Sequence, residues 1–517
     1  MSADLFNASE YLVDRQLAIG HGDRVALTGV AGKVSYAQLH ERVVRAAAGL
    51  RRIGLQPEQR VLMVMADSPE FAVVYLAALR MGAVPVPVST MTHADGLADL
   101  LRDSRARLLA VTHQFGELAS VALKAAPEVT GVLAGADARV ETELPVHPLD
   151  ELAGEDGSAY STTADSPAFW LYTSGTTGLP KAAMHRHGSI PYVCETYAAQ
   201  VLGITADDRC LSAAKAFFAY GLGNSLLFPL SIGAAAVLEP APAKPETLVE
   251  RAQSYGVTLF FAGPTFFANM LRTELSPEAL DGVRLAASAG EALPASLYER
   301  WTRHFGVDII DGIGMTEMLH IFLSNRPGAV RPGTTGVAVP GYDLKILGED
   351  GQLVEPGTPG TLYVRGASTA TGYWSRYDAS RHVFQGEWLR TGDTYVQDAD
   401  GCYTCLGRTG DMLKASGMWV SPAEVEGRLL AHPAVAQAVV VAGQDGDGLE
   451  KPVAYVIVKA GAEVTEDELV AFCRDGLPSF KRPRRIVFVD SYPTTATGKV
   501  RRVELRATAA TALTGTP

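Results

Sequence analysis

Four aliphatic hydroxyls, two glycines and one lysine fall within eleven residues, Leu171-Tyr-Thr-Ser-Gly-Thr-Thr-Gly-Leu-Pro-Lys181. Glycines such as Gly175 and Gly178 let the backbone turn back so that successive N–H groups converge on an anion. Thr173, Ser174, Thr176 and Thr177 add side-chain donors, and Lys181 adds a mobile positive charge. Together these residues could cradle a polyphosphate. The string is not the common phosphate loop, in which Lys directly follows the second glycine and is itself followed by Ser or Thr. Here Lys181 stands behind Pro180 and is followed by Ala182. A Thr/Gly-rich surface turn is the plain alternative.

Other residues have chemistry of their own. Thr316 and Glu317 close Gly312-Ile-Gly-Met-Thr-Glu317, which follows the apolar Val307-Asp-Ile-Ile310. That places them at a strand end, where α/β sheets bind ligands. Glu317 is a hard oxygen ligand suited to Mg²⁺ on phosphates; an ordinary first-turn glutamate is the alternative. Asp393, on the turn Thr391-Gly-Asp393, is a carboxylate able to accept both hydroxyls of a ribose, or a simple Asp turn. Arg408 and Lys499 are cations that could equally be solvated surface charges. Cys402-Tyr-Thr-Cys405 has the spacing of a redox or half-zinc motif, but it lies in an alternating run with no second pair nearby, so it reads as buried strand residues.

These residues need a scaffold. At 517 residues the chain is too long for one core, so two or more domains are expected. Strand-like Val61–Met65, Arg107–Thr112 and Gly131–Leu133 alternate with helices, one with capping-box spacing at Ser35-Tyr-Ala-Gln38 and another opened by Ser68-Pro69. Pro245–Tyr255 reads as a helix, Val257–Phe261 as a strand, and Pro264 opens a further helix. The pattern up to about residue 330 predicts an α/β body with largely parallel sheets. From Gly333, short runs separated by Gly and Pro, among them Gly336–Gly341, Leu344–Leu347 and Gly360–Val364, predict a small β-rich subdomain. Beyond Gly407 a further αβ pattern predicts a small C-terminal α+β domain. Its elements are a helix over Pro422–Ala431, strands over Val435–Ala442 and Val453–Val458, a helix over Glu466–Arg474 and a strand over Ile486–Val489. The Ala/Thr-rich tail after Arg506 is expected to fray.

Hydrophobic content of 47% and a net charge of −12 describe a globular protein and argue against general nucleic-acid or anionic-membrane binding. The N-terminal residues lack a basic region followed by an apolar block. The most apolar stretch, Ser225–Leu238, is short and broken by Pro229 and Gly233. Five cysteines suit a reducing compartment, and the expected location is the cytoplasm.

The order of these motifs resembles the adenylate-forming superfamily of acyl- and aryl-CoA ligases, carrier-protein-loading adenylation domains and luciferases. The matching parts are the loop 171–181, Ser288-Ala-Gly-Glu-Ala292, Gly312–Glu317, Thr391–Asp393, Gly407–Gly417 and Lys499. The resemblance implies an N-terminal adenylation domain over residues 1–408 and a mobile C-terminal domain over 409–517. It also implies two half-reactions, in which a carboxylate and MgATP give an acyl-adenylate and pyrophosphate, and a thiol then displaces AMP. Carried over residue by residue, Thr173, Ser174, Gly175, Thr176, Thr177, Gly178, Lys181, Gly290, Glu291, Asp311, Gly312, Ile313, Asp393 and Arg408 would bind ATP and AMP. Lys499, Glu317 and Thr316 would be catalytic, with Glu317 on the metal. A lysine aimed at the phosphate charge of the transition state is worth several kcal/mol, on the order of 10²–10³ in rate. The C-terminal domain would then rotate, presenting Lys414 and Gly417 to the thiol's tunnel. The hinge position, usually Asp or Lys in the family, is Gly410 here, and glycine accepts any backbone angle that rotation needs.

Lys215–Asn224 and Gly314–Leu323 look most like the benzoate–CoA ligase branch, as does Phe6–Asp14. Ala219, Tyr220, Gly314, His320 and Ile321 match positions that contact the aromatic ring there. Aromatic and small side chains around a flat slot suit a planar ring. Phe217, Phe218 and Phe267 read more readily as core than as pocket wall. His320 is either a hydrogen-bonding partner for a ring hydroxyl or amino group, or a satisfied core histidine. The implied acid is benzoate or a hydroxy- or aminobenzoate such as salicylate. The implied thiol is CoA or, as the alternative, the phosphopantetheine of an acyl carrier protein. The basic run Lys481-Arg-Pro-Arg-Arg485 could meet phosphates or an acidic partner. A monomer or homodimer is expected.

Overall fold

The hairpin of Pro167–Thr173 and Lys181–Arg186 sits where two hydrophobic cores meet in the computed structural model, which describes residues 4–173, 180–415, 418–445, 449–494 and 500–514. Side chains alternate across a strand. Phe169 and Leu171 therefore enter one core with Leu27, Ala236 and Ile310, while Trp170 joins Val64, Val86 and Leu109 in the other.

The first core lies against a nine-stranded sheet. Its order is Val337–Ala338, Ile321–Ser324, Ile309–Gly314, Leu285–Ser288, Leu259–Ala262, Arg209–Ser212, Ala235–Leu238, Val25–Gly29 and Val34–Ser35. The six strands from Ile309–Gly314 to Val25–Gly29 are parallel, and antiparallel strands close both ends. The central strands are short apolar runs, as burial on both faces requires. The second core lies on a parallel five-stranded sheet, ordered Val84–Pro87, Arg60–Val64, Leu108–Val111, Gly131–Ala134 and Val146–Pro148. Helices cover the sheets, and Tyr36–Arg52 opens on the expected capping box, with Ser35 and Gln38 bonded reciprocally.

Asp343–Leu347, Gly360–Arg365, Trp388–Gln397, Phe384–Gln385 and Tyr403–Arg408 form an antiparallel sheet in the region expected to be β-rich. Val337–Ala338 does not belong to it. It pairs with Ile321–Ser324 and finishes the large sheet, an allegiance that a two-residue strand cannot signal by periodicity. Past Arg408, the strands Val435–Gln444, Glu450–Val458 and Arg485–Phe488 form a sheet. With helices Pro422–Leu430 and Glu466–Arg474 they enclose a separate core of Val425, Leu429, Val440, Val456, Leu469 and Cys473.

The tail does not fray over its described residues. Arg502–Thr514 is a helix, because Leu505 and Ala509, one turn apart, are buried against Val439, Val441, Val453 and Tyr455. The Tyr455 hydroxyl also donates to the Leu505 carbonyl at 3.0 Å. Tertiary burial here outweighs a composition that would leave an isolated helix marginal. Leu505→Ala should cost about 2–4 kcal/mol, read as accelerated hydrogen exchange in residues 435–458 and 502–514 with the nine-stranded sheet unaffected.

Candidate active site

The carboxyl ends of adjacent parallel strands bring the chemical residues together. Asp311, Gly312 and Ile313 lie on Ile309–Gly314, beside Leu285–Ser288, which runs on into Gly290 and Glu291. Gly290 has φ +94°, a conformation that favours glycine, and the Glu291 carboxylate accepts from Thr265 Oγ1 at 2.8 Å. Asp311 is buried, and burial pushes its carboxyl up to about 7. After a bulge at Ile313/Gly314 the chain turns through Thr316–Met318 and returns as Ile321–Ser324. Gly314 permits that return. A Cβ there would lie 2.6 Å from the His320 carbonyl oxygen.

Glu317 is buried, and its Oε1 accepts a short hydrogen bond from the Tyr373 hydroxyl, while its backbone carbonyl accepts from Ala370 N–H at 2.8 Å. Lys181 Nζ sits 5.6 Å from the centroid of the same Tyr373 ring. Tyr373 thus links the end of the phosphate-type loop to Glu317. Thr173 and Lys181 face each other across the hairpin. Ser174, Gly175, Thr176, Thr177 and Gly178 lie outside the described residues, as do Gly417 and Lys499.

Thr316 is fixed through its carbonyl, 2.8 Å from His185 Nε2, and the His185 ring stacks on Phe169 with centroids 4.9 Å apart. Asp393 and Arg408 are register partners on neighbouring strands and form an ion pair at 3.2 Å, with the Arg408 side chain half exposed and Asp393 buried. Arg408 also donates to the Thr391 carbonyl at 3.2 Å.

Tyr220, on the short helix Ala219–Leu222, donates its hydroxyl to the Ala287 carbonyl at 2.8 Å. His320 Nε2 lies 3.3 Å from the Tyr220 carbonyl, with the two rings 5.4 Å apart. Ile321 is buried, opposite Gly314 in the strand register. Ala219, Tyr220, Gly314, His320 and Ile321 therefore share one corner beside Asp311–Glu317. Phe267 packs with Phe260 and Trp301 in a separate core. Gly410 stands in open space, since a Cβ added to it would meet no atom within 4 Å. Lys414 lies on the strand Leu413–Ala415. Among the described residues no three His, Cys, Asp or Glu side chains cluster as a metal cage, and no helix is long and apolar enough to cross a membrane.

Residues 14–374 match the family model of the AMP-binding enzymes, and residues 424–499 that of the AMP-binding enzyme C-terminal domain. The chain belongs to the AMP-binding enzyme family. This AMP-binding enzyme is similar to the benzoate–CoA ligase of Thauera aromatica, at 41% identity covering 97% of this chain and 96% of that one. Its fold is similar to the crystal structure of a benzoate–CoA ligase from Burkholderia xenovorans LB400, with TM-score 0.88 and 41% identity over 97% of this chain and 100% of that one. It is also similar to the anthranilate–CoA ligase AuaEII in complex with anthranoyl-AMP, with TM-score 0.92 and 34% identity over 98% and 97% of the two chains.

Tyr373 and His185 belong to none of the motifs singled out in the sequence. His185 had a signal, since it lies two residues from Ala183 and so shares its face of the strand. Tyr373 had none, because a tyrosine after a glycine in a loop announces no carboxylate partner. Burial pushes the imidazoles of His185 and His187 down to about 4 and that of His320 to about 3, so all three are neutral near pH 7. The unfolded chain binds these protons first as pH falls below about 6.5, so each histidine contributes stability that is lost between there and about 4. Imidazole resonances of the three should not titrate between pH 5 and 8 by NMR.

Proposed function

We propose that this AMP-binding enzyme is an aryl acid–CoA ligase. It activates benzoate or a hydroxy- or aminobenzoate with ATP to the aryl-adenylate, then transfers the aryl group to CoA, releasing AMP. The observation that carries the aromatic assignment is the corner formed by Tyr220 and His320. The Tyr220 hydroxyl is engaged by Ala287, His320 Nε2 faces the Tyr220 carbonyl, and His320 Nδ1 is buried. The Tyr220 ring, its hydroxyl already engaged, therefore offers a face and an edge rather than a polar tip, backed by the buried His320, and a flat aromatic ring is the complement. The similarity to benzoate– and anthranilate–CoA ligases over nearly the whole chain supports the same substrate class.

In this reading the loop from Thr173 to Lys181 holds the phosphates and Asp393 receives the ribose hydroxyls. Gly290, Glu291 and Asp311–Ile313 border the nucleotide base. The donor set fits magnesium, because Glu317 is one buried carboxylate braced by Tyr373, and Mg²⁺ is commonly held by one or two carboxylates together with phosphates and water. Bound there, the ion would neutralise phosphate charge. Thr316 donates to a phosphate oxygen. Lys499 stabilises the charge that builds up as the carboxylate attacks the α-phosphate. Arg408 and Gly410 mark the boundary at which residues 409–517 turn to bring Lys414 and Gly417 to the thiol.

Lys499→Ala should reduce adenylate formation by on the order of 10²–10³ while ATP binding by calorimetry stays near wild type. Normal adenylation by that variant would remove Lys499 from the mechanism. The reaction itself is tested by mass spectrometry of purified protein with MgATP, CoA and a panel of benzoates, cinnamates and fatty acids. An aryl-CoA and AMP with a benzoate are expected. Aryl-adenylate without aryl-CoA would instead assign the carrier-protein-loading reaction, and turnover restricted to aliphatic acids would overturn the aromatic assignment.

A further inference from the structure

A strap of charged residues, Asp67, Lys215 and Glu239, holds the start of the segment that carries Ala219 and Tyr220. Asp67 follows the strand Arg60–Val64 of the five-stranded sheet, whereas Lys215 and Glu239 follow Arg209–Ser212 and Ala235–Leu238 of the nine-stranded one. The three thus meet at the carboxyl ends of strands from both sheets. Asp67 is 5% exposed, and its two carboxylate oxygens lie 3.1 and 3.3 Å from the backbone nitrogen of Ala216. Lys215 Nζ donates to the carbonyls of Glu239 and Ala241, each at 2.6 Å. The Glu239 carboxylate is engaged by Arg251 Nε at 2.7 Å and by Ala241 N–H at 2.9 Å. The charges facing Asp67 are therefore Lys215 and, more remotely, Glu239 with Arg251. Glu70, on the helix that follows Asp67, is bonded to Ala136 N–H instead.

The strap grips one end of the segment that carries Ala219 and Tyr220. From Lys215 the chain folds back so tightly that a Cβ on Gly221 would lie 2.0 Å from the Lys215 carbonyl oxygen. Phe218 N–H donates to that same carbonyl at 3.0 Å. The far end is held by the Tyr220 hydroxyl on Ala287 and by His320 on the Tyr220 carbonyl. A shift at Ala216 is thus transmitted to Tyr220, because little slack separates the two anchors.

We propose that Asp67 is a positioning residue for the aryl acid: its ionised carboxylate, balanced by Lys215, fixes Ala216 and so sets the wall formed by Ala219 and Tyr220. The inference rests on the aryl-ligase reading. Burial raises the Asp67 carboxyl to about 6, against the opposing influence of Lys215 and the Ala216 N–H. The strap is therefore charged at pH 7.5 and loses its negative charge as pH falls below about 6. In the folded state this proton is bound more tightly than in the unfolded chain, so the ionised strap costs stability as pH rises from about 4 to 6. That cost is consistent with a role in placement rather than in folding.

The test is steady-state kinetics with a benzoate that the wild type turns over, between pH 5.5 and 8. Wild-type KM for the acid should rise about threefold to fourfold toward pH 5.5, with KM for ATP steady. Asp67→Asn, which keeps an acceptor for Ala216 N–H but no charge, should show the raised acid KM at every pH, with saturated kcat within about twofold. Calorimetric titration of the acid into unmodified protein across the same pH range supplies a readout that needs no variant, and affinity should fall below pH 6. An acid KM and affinity that do not change with pH, or an Asp67→Asn variant that loses acid and ATP affinity equally, would overturn the role of Asp67. Absence of turnover with every aryl acid would instead overturn the ligase reading.

Discussion

The burial of one hairpin on both faces is the constraint on which the rest depends. Phe169 and Leu171 point into the core of the large sheet and Trp170 into that of the smaller one, so neither Pro167–Thr173 nor Lys181–Arg186 can slide without emptying one core. A one-residue slip of register would exchange the faces and set each of these side chains in the core shaped for the other. The rigid walls fix where the intervening loop begins and ends. They also fix Lys181, and through Tyr373 they fix its relation to Glu317.

Around that fixed point the site is built dry. Asp311, Glu317 and Asp393 are buried carboxylates, and His185 and His320 are buried imidazoles held neutral by the same desolvation. Electrostatic interactions are strengthened where water is excluded. A cation or a phosphate entering such a place is therefore felt strongly by each of these groups. The strand ends supply the carboxylates, and the aromatic corner supplies the ring of Tyr220 with its hydroxyl already bonded to Ala287.

The large α/β body, the antiparallel sheet and the C-terminal elements were legible in the sequence because each carries a strong local signal. Ser35 and Gln38 announce a capped helix, and Leu259–Ala262 is a bare apolar run between polar flanks. Glu317 and Asp393 were legible as chemistry because their motifs carry glycines that place a carboxylate on a turn. What the sequence concealed was long-range. Tyr373 reaches Glu317 across 56 positions and Asp67 reaches Ala216 across 149, and no periodicity encodes such meetings. The terminal helix was hidden for the same reason, since Ala and Thr become a stable helix only when a sheet receives Leu505 and Ala509.

The surroundings of Gly410 have a mechanical meaning. On one side, Thr409 N–H is bonded to the Gly392 carbonyl at 2.9 Å and Arg408 is paired to Asp393, which ties the chain to the antiparallel sheet. On the other, Arg506 of the terminal helix donates to the Gly410 carbonyl at 2.8 Å and to Asp411 at 2.5 Å, which ties it to the C-terminal elements. Between the two moorings the chain makes one tight turn, closed by Asp411 N–H and Met412 N–H on the Arg408 carbonyl at 2.8 and 3.1 Å. For the proposed turning of residues 409–517 those two bonds would have to open, and the terminal helix, moored to Gly410 and Asp411, would travel with the C-terminal elements as their brace.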